Sequence, residues 1–404
     1  MVNSPNAQGV ERHWQLSPRQ NQSASFTKTA AGTLLLFVTF SQGNVTSASQ
    51  FVILYLPILS LALVIIGGRR GSASTLAPSS PARLGLLLIL VPVLLATLST
   101  ATVQYVIILL GFTLIVLTLP VGGFLQNLPT YAYYAAWLNA MLYMGEVIFW
   151  GQLGIPFDPS VFNYIGVDRE GVITTWGLTR YGGHHSEPGS FAVNFAALTV
   201  LSLMGDRMPT LFHWFAVFLL AGTLSITAAL LAVVVVVSII LTSKLTARSL
   251  FLLVLGLGLI PVLILQLLPL LGLQSMEFLT ERLVDRGGND ISIYIKAQLV
   301  EDVKTRDFLS TIFGNRYAEC FHCSYSKSMG FGFYFLFQGG LVGAIAVATI
   351  GGIAVWRLGR KGFALFIVFM LMRLEFHFPQ AMMLYLIVVG LPAPNGRSSK
   401  GKIA

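Results

Sequence analysis

Residues 249–272 read S-L-F-L-L-V-L-G-L-G-L-I-P-V-L-I-L-Q-L-L-P-L-L-G, and none of these side chains carries a charge. A helix needs about 20 mainly apolar residues to cross the hydrocarbon core of a bilayer, and this stretch supplies them. Comparable runs recur along almost the whole chain. The fold they predict is an all-α polytopic integral membrane protein. Spans fall at about 29–45, 50–67, 84–100, 103–121, 131–150, 189–205, 210–225, 227–243, 249–272, 330–356, 361–375 and 378–392, read from the sequence by hydropathy. Three pairs are short enough to be either a tight hairpin or one tilted helix, so the total is about 10–12.

Composition agrees. Of 404 residues, 55% are hydrophobic and 10% charged, and the mean hydropathy is +0.76. Soluble domains carry about 25% charged residues, and a chain this poor in charge could not cover a water-facing surface. The first apolar run follows about 28 mostly polar residues with no clear small-residue cleavage site, so it is expected to be a retained span.

The loops sort by charge. With the N-terminus inside, the inner segments hold fifteen Lys and Arg residues against only Glu11 and Asp206. This satisfies the positive-inside rule and accounts for the net charge of +9 without a nucleic-acid partner. Residues 1–28 and 393–404 become cytoplasmic tails around a bundle at 29–392. Two long segments, at about 151–188 and 273–329, fall outside. Loops of that length are uncommon unless functional or disordered, and their mixed composition predicts ordered lids.

Candidate chemistry collects in these two segments. The first ends Arg180-Tyr-Gly-Gly-His-His-Ser-Glu-Pro-Gly189. Ser186 and Pro188 mark a helix start. Arg180, His184, His185 and Glu187 are more than a helix start requires, and an Arg–Glu pair with an imidazole can hold an anionic headgroup and take a proton. In the second segment Arg282 and Arg286 are four residues apart and share a helix face. They are either solvent-paired with Glu281 and Asp285 or a bidentate phosphate clamp.

Farther on stands Phe313-Gly-Asn-Arg-Tyr-Ala-Glu-Cys-Phe-His-Cys323. Cys320 and Cys323 lack a second ligand pair for zinc and suit a local disulfide on an oxidising face. His322 is a general-base candidate. Glu146, near the outer end of the fifth span, is a possible functional carboxylate, because an ionisable group at membrane depth is costly. Arg373, Glu375 and His377 mark an outer turn. No Walker loop, HExxH or Asp-x-Asp pair is present, so chemistry without nucleotide, metal or other cofactor is expected.

These residues resemble a family. The span plan, the Arg180…Glu187-Pro188 stretch leading into a span, and the block in which Phe313-Gly-Asn, His322 and Gly339-Gly-Leu-Val-Gly343 follow one another are similar to the Wzy-type O-antigen and exopolysaccharide polymerases. The O-antigen ligase is a relative. The match in motif covers about 50 residues, a length set by the quoted stretches. Cys323 stands where the ligase-like pattern has Asn after His, and neither loop holds an Arg-x10-Gly motif.

The resemblance implies a glycosyltransferase of the bacterial inner membrane. It would join repeat units carried on undecaprenyl diphosphate at the periplasmic face, with inversion and without metal. It further implies Arg180, Arg282, Arg286 and Arg316 on the diphosphate and Glu187 or His322 as base, with His184, His185 and Glu146 as further candidates. Membrane lipid and a chain-length regulator are the implied partners beside the lipid-linked substrate. The alternatives are a ligase acting on lipid A core and, in another class, a transporter of lipid-linked oligosaccharide. Spans nearly free of charge, with arginines gathered in the outer loops, favour surface chemistry over transport.

Overall fold

A computed structural model describes residues 18–41, 55–67, 110–112, 114–115, 121–155, 157, 159, 173–175, 178–185, 188–205, 209–223, 226–242, 291–314, 330–372 and 379–390. Among these the chain is almost entirely helical. In order come α1 (Pro18–Ser41), α2 (Leu56–Gly67), α3 (Gly122–Gly145) continuing as a π-helical turn (Glu146–Gln152), then a small hairpin of β1 (Ile173–Thr175) and β2 (Leu178–Arg180). There follow α4 (Pro188–Ser202), α5 (Leu211–Gly222), α6 (Ile226–Thr242), α7 (Ile291–Lys304), α8 (Phe308–Phe313), α9 (Phe331–Leu371) and α10 (Pro379–Gly390). The hairpin pairs Ile173 with Arg180 and Thr175 with Leu178. It is the one departure from an all-α chain among the described residues. The expected spans at 84–100 and 249–272 lie outside the described residues.

α4 sits at the centre. It packs against α1, α3, α5, α6 and α9, and every residue from Phe191 to Ser202 is buried. Its sequence, P-G-S-F-A-V-N-F-A-A-L-T-V-L-S, has no charged face, and a helix apolar all round finds its low-energy place surrounded by other helices. The small residues Ala192, Ala196 and Ala197, all fully buried, let neighbouring backbones come close. α5 and α6 are two separate helices packed on each other.

Outward-facing positions are apolar too. Leu230, Val233 and Val237 are exposed along one face of α6, Leu61 and Val64 on α2, Leu341, Ile345 and Trp356 on α9. α9 is the one described helical run long and apolar enough to cross a membrane, with a mean hydropathy of 1.9 in its best window; the other apolar helices are shorter.

α9 is not straight. It has non-helical backbone at Gly340 and Gly359. A straight helix of 41 residues would hold its ends roughly 60 Å apart at about 1.5 Å per residue. Instead the Phe331 amide donates to the Met372 carbonyl at 2.7 Å. The chain therefore doubles back, and residues 331–339 lie beside the segment that follows. The break at Gly359 coincides with the expected loop between two spans. The break at Gly340 divides the span expected at 330–356, and corrects it.

The Gly340 turn is built from backbone. Its φ of +56° with ψ −141° lies in the mirror-β region, which glycine adopts freely and residues with a Cβ do not. A Cβ there would meet the Gly314 amide nitrogen and the Thr311 and Ile312 carbonyl oxygens at 2.5–2.7 Å, so the end of α8 lies directly on the turn. The Leu336 and Phe337 carbonyls stand just ahead of the break. Arg306 serves them, its guanidinium donating to Leu336 O at 3.2 Å and Phe337 O at 2.7 Å while lying 4.9 Å from the Phe337 ring centroid.

Two glycines of α9 should therefore respond oppositely to the same change. Gly340→Ala combines a disfavoured φ with a backbone clash and should lower the unfolding temperature of the protein by many degrees. Gly352, whose Cβ would meet nothing within 4 Å, should tolerate alanine or gain from it, since alanine is favoured in helices by up to about 1 kcal/mol. Equal effects in a thermal unfolding assay would contradict the turn described.

Candidate functional site

The buried polar residues near the start of α4 form one cluster. The short loop 181–185, which leads from β2 toward α4, presses Gly183, His184 and His185 into the bundle. Gly182 through His185 are buried. Gly183 has φ +61°, a left-handed turn natural to glycine, and lies against Tyr143 and Phe191.

Three contacts hold this loop, each from a different residue of α1 or the α3 region. The Gly183 amide donates to Glu146 Oε2 at 2.6 Å. His184 Nε2 stands 2.8 Å from Ser41 Oγ, and His185 Nε2 3.4 Å from Asn139 Oδ1. Glu146 is fully buried and opens the π-helical turn, where the widened helix shifts the register of the residues that follow.

Neighbouring bonds assign the tautomers. Ser41 donates its own hydroxyl proton to Phe37 O, and Asn139 donates its amide to Ala135 O at 2.9 Å. Both therefore present acceptors to the imidazoles, and each histidine carries its proton on Nε2. The two Nδ1 atoms are then lone-pair acceptors, and neither has a hydrogen-bond partner among the described residues.

The two rings lie 4.1 Å apart between centroids, with Phe37 4.9 Å from His184. Burial pushes the His184 imidazole down to about 3. Burial, and then the neighbouring His184, hold His185 well below its ordinary value. Both rings are neutral near pH 7.

Of the residues expected from sequence, the structure brings Glu146, His184 and His185 into this one cluster. Arg180 is positioned by its backbone at the end of β2, opposite Ile173. Glu187, Arg282, Arg286, Arg316, His322, Cys320 and Cys323 lie outside the described residues. The reading of the sequence missed Ser41, Asn139 and Arg306. An Asn in the apolar middle of the fifth span was a usable sign, since amides in such helices seek partners on other elements. Ser41 and Arg306 had no local mark, because their partners are 143 and 30 residues away.

Among the described residues no group of three or more His, Cys, Asp or Glu could hold a metal ion. No family model matches the chain, and neither a curated protein nor a solved structure matches it.

The carboxylate of Glu146 should be needed chiefly as an acceptor. Glu146→Ala leaves the buried Gly183 amide unsatisfied, a loss of about 1–3 kcal/mol, and should lower unfolding temperature. Glu146→Gln retains an oxygen at the same reach and should recover most of that loss. A glutamine variant as unstable as the alanine variant would show that charge, not hydrogen bonding, is the need.

Proposed function

We propose that this protein is a polytopic membrane glycosyltransferase of the polysaccharide-polymerase type. It moves glycan from one undecaprenyl diphosphate carrier onto another lipid-linked repeat unit at the periplasmic face. The membrane part of the reading is supported by the exposed faces of α2, α6 and α9, which carry Leu, Val, Ile and Trp where a water-facing helix would carry charge.

Pairing of helix ends supports it further. Lys361 donates to the carbonyls of Met204 and Gly205, and Arg357 to that of Val388. All of these lie at ends expected inside. Ser41 meets His184 and Phe331 meets Met372, at ends expected outside. None of these five contacts joins an expected inner end to an expected outer one.

The observation that carries the catalytic part is that both stretches bearing the family resemblance are anchored to the bundle, the first of them at an expected outer end. The first is tied through Glu146 to Gly183. The Phe313-Gly314 end of α8 is seated on the Gly339-Gly340 turn. In this reading the arginines Arg180, Arg282, Arg286 and Arg316 hold the diphosphate and stabilise its departure electrostatically. A carboxylate or imidazole, Glu187 or His322, takes the proton of the attacking hydroxyl, and direct displacement inverts the anomeric carbon.

Deletion should leave single repeat units on the lipid carrier; full-length polymer accumulating on the carrier would mean a ligase instead. Arg180→Ala should abolish polymer at unchanged protein level, and Arg180→Lys should restore little because lysine lacks the planar fork. Glu187→Gln and His322→Ala separate the two candidate bases. Reporter fusions near Gly171 and Gly288 should be active only outside the cytoplasm. Normal polymer in all four variants, or a cytoplasmic signal from either fusion, would overturn the proposal.

A further inference from the structure

The paired histidines are not explained by the proposed transfer, which assigns them no step. Their setting is unusual in three respects. Both are fully buried, both have their Nε2 protons committed to acceptors on α1 and α3, and both Nδ1 atoms lack a hydrogen-bond partner among the described residues. A proton arriving at either Nδ1 would create a buried cation whose new N–H has no acceptor. A second proton would place two cations on rings 4.1 Å apart.

We propose that His184 and His185 form an acid-released latch: neutral, they seat the loop 181–185 in the bundle; protonated, they expel it and break the Gly183–Glu146 contact. The direction follows from linkage. In the seated loop the imidazoles stay neutral, His184 titrating only at about 3, whereas a solvated histidine titrates near about 6.5. The seated form is therefore fully favoured above about pH 6.5, and it loses ground as pH falls below that value toward the lower one.

Among the described residues the surrounding charges do not offset this. On the elements packed here α4 carries no titratable group, and α3 carries Tyr131, Tyr133, Tyr134 and Tyr143. α1 carries Arg19 and Lys28 in its N-terminal part, and Tyr181 lies on the loop itself. Among the described residues of this cluster Glu146 is the one acidic group, already accepting from Gly183. Release would also loosen β2, which carries Arg180. Only that last consequence rests on the proposed transfer; the latch stands without it.

Hydrogen exchange on the full-length protein in detergent micelles tests this. Protection of the Gly183 and His185 amides, divided by the intrinsic rate at each pH, should be constant above about pH 7. Below about pH 6 it should fall by about tenfold per pH unit for each histidine that takes up a proton. Two histidines give about a hundredfold per unit. His184→Gln and His185→Gln should each reduce the dependence to about tenfold per unit, and the double variant should abolish it.

Amides of α4 from Ala192 to Val200 serve as the internal standard and should keep their protection over the same range. Wild-type protection independent of pH, or lost in step with α4, would overturn the latch, as would a dependence that survives in the double variant. Should the variants not fold, the wild-type slope and the α4 standard decide alone.

Discussion

The packing of the bundle depends on the requirement to bury α4 on every side. With no polar face to turn outward, this helix must be enclosed, and α1, α3, α5, α6 and α9 enclose it. That enclosure determines where the chain can present chemistry. The loop entering α4 has to pass between α1 and α3, so Gly183, His184 and His185 are carried into the interior with it. Their buried polar atoms then need partners, and Ser41, Asn139 and Glu146 supply them from elements far away in sequence.

Polar groups elsewhere in the bundle obey a different economy of bonding. Thr199 and Ser238 each donate to the carbonyl four residues back on their own helix, which satisfies a hydroxyl in an apolar setting without involving a neighbour, while Thr39 does the same and also meets the Tyr55 hydroxyl. His213 is also bound, with Ser202 at its Nε2 and Thr210 at its Nδ1. The Nδ1 atoms of His184 and His185 have no hydrogen-bond partner among the described residues, and neither do Thr33 Oγ1 and Asn194 Oδ1. At the Gly340 turn an arginine from outside the helix serves two helical carbonyls. Irregular backbone inside an apolar bundle persists only where other protein groups satisfy it, and Arg306 is that group.

Much of this was legible from the chain alone. The helices at 56–67, 188–202, 211–222, 226–242 and 379–390 fall within about two residues of expected spans at most ends, because an apolar run bounded by charge or by proline marks its own limits; the 56–67 start is later. α1 differs: its helix reaches back to Pro18, since a polar sequence without prolines or glycines continues a helix beyond its apolar part. The candidate residues Glu146, His184 and His185 were recognisable because ionisable groups at the edge of apolar runs are costly and call for a reason. That the three meet was not recognisable, since nothing local links residue 146 to residue 183.

What the sequence by itself determined is the kind of chain: mostly helical, and apolar within and without. Hydropathy and charge are properties of each residue, so they survive without knowledge of packing. Only the tertiary structure decided that residues 331–339 fold back on the helix that follows, that Arg306 caps the break, and that two neutral imidazoles share one buried pocket of the bundle. Each of these depends on a backbone angle at a single glycine or on a contact between distant segments, and neither is encoded in the periodicity of any one stretch.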